Sequence, residues 1–175
     1  MSTVAMLLFP LGMALAASSD LLTMRISNKL VLLLAIGFVV TALIVEMPLQ
    51  QFAMNVLCAF VVLMVAFGLF ALRWIGGGDA KLAATTSLWL GFVGPSGDFT
   101  LVAYLVYAAL LGGVLTLAIL ALRRLPLDTV FVGRPWLGWL NRLHDPKQGV
   151  PYGIALALAG MLTYTNSTIF ERLTA

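Results

Sequence analysis

Gln51 to Leu72 reads QFAMNVLCAFVVLMVAFGLFAL, 22 residues without a single charge. About 20 predominantly apolar residues carry a helix across a hydrocarbon core, so this stretch by itself predicts a transmembrane helix. On either side of it the chain holds further charge-poor stretches: Met1 to Ala17, Leu30 to Val45, Leu82 to Gly97, Phe99 to Leu122 and Val150 to Phe170. A charge at the bilayer centre costs at least about 2.5 kcal/mol, so the charged residues mark the breaks between spans. The pattern predicts an all-α polytopic membrane protein, a bundle of about six transmembrane helices, in a single domain over residues 1–175. Composition agrees, because 62% of the residues are hydrophobic and 10% charged, where a soluble domain is about half apolar and about a quarter charged. A soluble globular protein is thereby excluded.

The basic residues give the orientation. Arg25, Lys29, Arg73, Lys81, Arg123, Arg124, Arg134, Arg142 and Lys147 all fall in the first, third and fifth loops, whereas the second and fourth hold only Glu46 and Asp98 and the tenth basic residue, Arg172, lies on the C-terminal tail. By the positive-inside rule the odd-numbered loops are cytoplasmic and both termini lie outside. The net charge of +3 then reflects orientation against a lipid bilayer, not nucleic-acid binding. Ala14-Leu15-Ala16 resembles a signal-peptide cleavage site, but no lysine or arginine precedes it, so the N-terminal stretch is expected to stay as the first span. The single cysteine, Cys58, excludes a disulfide framework and a paired-cysteine zinc site, and no metal or cofactor is expected. The loop at about 123–149 is the one long polar connection. Within it, Pro135 to Leu143 carries apolar residues at helical spacing and predicts a short interfacial helix that fixes depth through its tryptophans. His144 is expected to be a solvated loop residue.

Two aspartates stand at the wrong depth. Val4 to Ala17 is 14 residues long, too short to cross, so the first helix must continue and carry Asp20 to the membrane edge. Leu82 to Val93 is 12 apolar or small residues followed by Gly94-Pro95, so the fourth helix must begin before Leu82 and include or abut Asp79. Both acids then lie on one side of the membrane, and ionisable residues at membrane depth point to function. Asp79, after three glycines and before an apolar run, could also serve as a helix N-cap. Asp20 has no such structural use, because it stands at a helix C-terminal end where the macrodipole disfavours negative charge; an ion pair with Arg25 or Lys29 is its structural alternative. Gly76, Gly77 and Gly78 provide a backbone that another extended chain can approach closely, and these glycines are the candidate substrate-binding segment.

Ser19-Asp20, Arg25-Ile26-Ser27-Asn28, Gly76-Gly77-Gly78-Asp79-Ala80-Lys81-Leu82 and Val150-Pro151-Tyr152-Gly153-Ile154-Ala155 together resemble the prepilin peptidases of the GxGD aspartyl membrane protease class. The likeness is greatest to the short, peptidase-only branch of tight-adherence (Flp) pilus systems. It runs from the first span to the last. The resemblance implies that Asp20 and Asp79 are the catalytic pair and that Gly76 and Gly78 are the glycines of the signature. It also implies matched positions at Arg25, Asn28, Lys81 and Pro151 to Gly153. Ser27 replaces the proline usual in the Arg-Ile-Pro-Asn motif, and a serine can begin the helix as its cap. Pro151 is expected as the first residue of the sixth helix, with Gly153, Ala157 and Gly160 forming a small-residue packing face. The paired-cysteine cytoplasmic region of the bifunctional relatives has no counterpart, which implies cleavage without N-methyl transfer.

The expected function is that of a membrane aspartyl endopeptidase of the bacterial inner membrane. It would remove a short basic leader from prepilins at the cytoplasmic membrane edge, its partner being the prepilin or pseudopilin substrate helix. Two neighbouring carboxylates share a proton, and the pair can activate water while supporting the developing oxyanion. A proton-coupled transporter is the alternative from another class, against which stand the charge-free stretches Gln51 to Leu72 and Phe99 to Leu122. A non-catalytic pilus-assembly membrane subunit is the other.

Overall fold

The computed structural model describes residues 2–125, 138–146 and 148–174, and every regular element among them is helical. The helices are α1 (Ser2–Thr23), α2 (Asn28–Ile44), α3 (Leu49–Ala71), α4 (Gly77–Leu90), α5 (Thr100–Leu122), α6 (Gly138–His144), α7 (Gly153–Tyr164) and α8 (Thr168–Thr174). Ala5–Thr23, Leu49–Ala71 and Thr100–Leu122 are long and apolar enough to cross a membrane. α7 and α8, bent by 50° at a short break, together meet the same test, and α2 is a shorter apolar helix. The protein is a polytopic helical membrane protein. Its outward faces carry bare apolar side chains such as Leu43, Leu49, Leu110 and Leu117, a surface suited to lipid.

Two of the six expected spans differ from the reading by charge. α4 stops at Leu90 and not near Gly97, because its C-cap Gly91 takes φ 71° and ψ 176°, a conformation open in practice only to glycine. Beyond it the chain turns on itself, with Gly94 N–H donating to Asp98 O at 2.9 Å. The sixth span is broken at residues 165–167, where the buried Ser167 hydroxyl accepts a hydrogen bond from Phe170 N–H at 3.2 Å and starts α8.

α4 is the middle of the bundle. It packs on α2, α3, α5, α7 and α8, and from Ala80 to Leu90 all but Lys81 and Leu88 are buried. Its run of Ala, Thr and Ser lets helices approach on several sides, as small residues do in membranes. Two of its hydroxyls are satisfied within the helix, Thr85 donating to Lys81 O at 2.9 Å and Ser87 to Ala83 O at 2.8 Å, while Thr86 donates across to Met13 Sδ of α1 at 3.6 Å. At its far end Asn55 of α3, itself buried, donates from Nδ2 to Leu88 O at 3.1 Å, meeting one of the carbonyls a helix end leaves unpaired. Trp89 is fully buried against Phe9 of α1 (ring centroids 5.3 Å) and Phe38 of α2 (6.0 Å), and its Nε1–H donates to Leu34 O at 3.0 Å.

The α1–α2 turn is built by hydroxyls. Met24, at φ 55°, ends α1, and Ser19 Oγ donates to Arg25 O at 2.8 Å. Ser27 is the N-cap of α2, in extended backbone, accepting from Leu30 N–H at 3.2 Å, as expected of the residue that replaces proline there. Ser27→Ala should cost about 1 kcal/mol of stability, the usual loss for a capping hydroxyl; reversible unfolding in micelles with no change would mean the cap is dispensable.

α6 is the described part of the expected interfacial helix; Pro135 to Leu137, with Trp136, lie outside the described residues. It is tied to the bundle, because Arg142 Nη1 donates to Leu22 O at 2.9 Å at the end of α1, and Leu143 is buried. Arg123 ties the same region together, donating to the carbonyls of Leu143 (2.8 Å) and Gln148 (2.9 Å).

Candidate active site

Asp20 lies in the last turn of α1 and is only 5% exposed. Its Oδ2 accepts a hydrogen bond from Gly153 N–H, at the start of α7, at 2.7 Å. The first helix does continue past Ala17, to Thr23, and that extension brings the acid into the bundle. Asp79 is half-buried at the third position of α4. It is not the N-cap: that place belongs to Gly76, in extended backbone, and the helix already includes Gly77 and Gly78. From the third position its carboxylate reaches back to the Gly76 backbone N–H, in the manner of the reciprocal half of a capping box. A Cβ on Gly76 would come 2.8 Å from Asp79 Oδ2, so the glycine makes room for the carboxylate.

The two acids share one cavity. Asp20, Asp79, Gly76, Gly77 and Gly78 line a space of about 270 Å³ together with Met24, Arg25 and Ile26. All five residues singled out in the sequence therefore meet at one place. Gly78 fits closely under the first turn, its missing Cβ facing Ile26 Cβ at 3.2 Å. Lys81 Nζ donates to Asn28 Oδ1 at 3.0 Å, tying the start of α2 to α4 beside the cavity.

Asp79 also stands on the wall of a second space of about 330 Å³, formed by apolar side chains of α3 and α5, among them Val61, Val65 and Leu105, with Tyr152 at its edge. One carboxylate thus borders a polar and an apolar cavity. Among the described residues no three His, Cys, Asp or Glu side chains are grouped so as to hold a metal ion. Cys58 is buried in α3.

Sequence reasoning missed the contribution of Tyr152 and Gly153. Gly153 was expected on a packing face and Pro151 as the first residue of the helix; instead α7 starts at Gly153, Tyr152 is its N-cap and Pro151 precedes the cap. Gly153 does pack closely, but against Asp20, whose Oδ2 would lie 2.8 Å from a Cβ there. The match of Pro151-Tyr152-Gly153 to the resembled family was the one available signal. The arrangement of two acids lining one cavity, each held by a backbone amide, can do acid–base chemistry on a bound carbonyl and water.

No curated protein and no solved structure matches the chain. Residues 7–122, which include Asp20, Asp79 and the three glycines, match the model of the type IV leader peptidase family, and the chain belongs to that family of peptidases.

Proposed function

We propose that this membrane peptidase is an aspartyl endopeptidase that removes the short basic leader of prepilins at the cytoplasmic edge of the bacterial inner membrane, for pilus assembly and without N-methyl transfer. Within the type IV leader peptidase family it would stand with the short, peptidase-only branch of tight-adherence systems. The observation that carries the reading is the single polar cavity lined by both Asp20 and Asp79. Two carboxylates so placed hold one proton between them. The ionised carboxylate takes a proton from water, the resulting hydroxide attacks the scissile carbonyl, and the protonated carboxyl donates to the developing oxyanion. Collapse of the tetrahedral intermediate breaks the C–N bond, and the departing nitrogen takes up a proton to leave as an amine. Gly153 N–H can only donate, so Asp20 Oδ2 is the acceptor of that bond.

The substrate's scissile bond, at the junction between leader and apolar helix, would lie along Gly76 to Gly78. The apolar space between α3 and α5 supports an approach from the lipid side. Purified protein incubated with a candidate prepilin should shorten it by the mass of the leader alone, with no methyl increment even when S-adenosylmethionine is present. An unchanged mass for prepilins from the same cell rejects the reading.

The orientation is tested separately. Reporter fusions after Glu46 and after Asp98 should report the periplasm, and fusions within the loop at 123–149 the cytoplasm. The reverse pattern puts both acids on the wrong side for leader removal.

A further inference from the structure

The peptide N–H groups of a helix's first turn have no partner within the helix, and the helix end carries partial positive charge. At the start of α7 one of these groups, Gly153 N–H, is aimed at a buried carboxylate, Asp20, at 2.7 Å. Such a donor is useful only if α7 is held in place to within a fraction of an ångström. The residue before it does that. Tyr152 Oη donates to Ala108 O of α5 at 3.0 Å, and its ring lies over Gly112, where a Cβ would collide with Cε2, Cζ and Oη of the tyrosine. Ala108 and Gly112 are one turn apart on α5 and both buried. A continuous chain of contacts therefore runs from α5 through Tyr152 and Gly153 to the carboxylate on α1. Gly153 also leaves no slack on the other side, since a side chain would meet Asp20 Oδ2 and Ile26 Cδ1, both at 2.8 Å.

We propose that Tyr152 and Gly153 are positioning residues of the peptidase site: Gly153 orients the Asp20 carboxylate through its amide, and Tyr152 anchors that amide to α5. The proposal rests on the reading of Asp20 and Asp79 as the catalytic pair, and it extends the site to a segment beyond residues 7–122, the part matched by the family. The role differs from packing in what it controls. A packing defect lowers stability or weakens substrate binding, whereas a misplaced carboxylate slows the chemical step with binding intact.

The test uses the full chain in micelles and a synthetic prepilin carrying a basic leader, a glycine junction and an apolar helix, with kcat, KM and melting temperature measured together. Gly153→Ala, with its methyl group against Asp20, should lower kcat by about a hundredfold, the scale of a misplacement of about 1 Å, with KM within about twofold of the parent. Tyr152→Phe keeps the ring over Gly112 and removes only the bond to Ala108 O; the melting temperature should drop slightly, as loss of one hydrogen bond requires, while kcat, assayed well below that temperature where the variant stays folded, should fall by about fivefold at unchanged KM. Gly153→Ala with kcat near the parental value, or with the loss confined to KM, overturns the proposal. Should Gly153→Ala fail to accumulate, Tyr152→Phe decides: an unchanged kcat, or a loss that appears only near the melting temperature, overturns it as well. Asp79→Asn runs beside them. If it cleaves like the parent, the aspartyl reading falls and takes the positioning role with it; if it is inactive while Gly153→Ala is fully active, only the positioning role is lost.

Discussion

Asp79→Asn and Asp20→Asn should each insert and accumulate like the parent and lose leader cleavage by about a thousandfold or more, the scale seen when one member of a catalytic set that acts as a unit is removed. The substitution keeps size and shape, so the cavity they share with Gly76 to Gly78 should persist. What disappears is the ability to pass a proton between two carboxyl groups. Because neither acid can do its partner's work, the double variant should be scarcely slower than either single one. The measurement is prepilin processing against the amount of enzyme in the membrane. Parental processing by Asp79→Asn would reduce Asp79 to a first-turn residue that binds the Gly76 amide and would end the aspartyl reading. Multiplying losses in the double variant would show the two acids acting independently, which a shared proton forbids.

Trp89→Ala should be the most destabilising single change in the bundle. The side chain is fully buried, flanked by Phe9, Phe38 and Tyr164, with ring centroids 5.3, 6.0 and 6.4 Å away. Truncating a buried Trp in a soluble core costs about 3–5 kcal/mol. In a membrane the transfer part of that cost shrinks, since lipid tails are as apolar as the core. The cavity and the lost contacts remain, and the low end, about 3 kcal/mol, is expected. Trp89→Phe should cost less, chiefly the hydrogen bond from Nε1 to Leu34 O, worth about 1 kcal/mol. Unfolding in micelles checks both, and equal losses for the two variants would mean that the hydrogen bond, not the aromatic cluster, carries the effect.

The long spans were legible because charge bounds them. Gln51 to Leu72 became α3 (Leu49–Ala71) and Phe99 to Leu122 became α5 (Thr100–Leu122). Hydropathy failed where backbone geometry sets a boundary inside an apolar run: Phe92 and Val93 continue the apolar composition past Gly91, but the φ of 71° at Gly91 has already ended α4. The break before α8 was hidden for the same reason, since the hydroxyl of Ser167 starts a new helix within a stretch that reads as continuous. The acids were legible because a carboxylate at membrane depth is costly and so conspicuous. Gly153 was not, because its part in the site is an amide and an absent side chain, and in a string of letters both look like packing.

The apolar space on α3 and α5 is bordered by side chains that face the surroundings, Val61 at 51%, Val65 at 61% and Leu105 at 42% exposure, and Asp79 forms part of its wall. A substrate reaching Asp79 by that route arrives by diffusion in two dimensions. The quantity that fills the site is then its mole fraction in the bilayer or micelle and not its amount per litre. Adding detergent or lipid at constant substrate should slow cleavage by surface dilution alone, and a Michaelis constant for such an enzyme carries meaning only per unit of membrane.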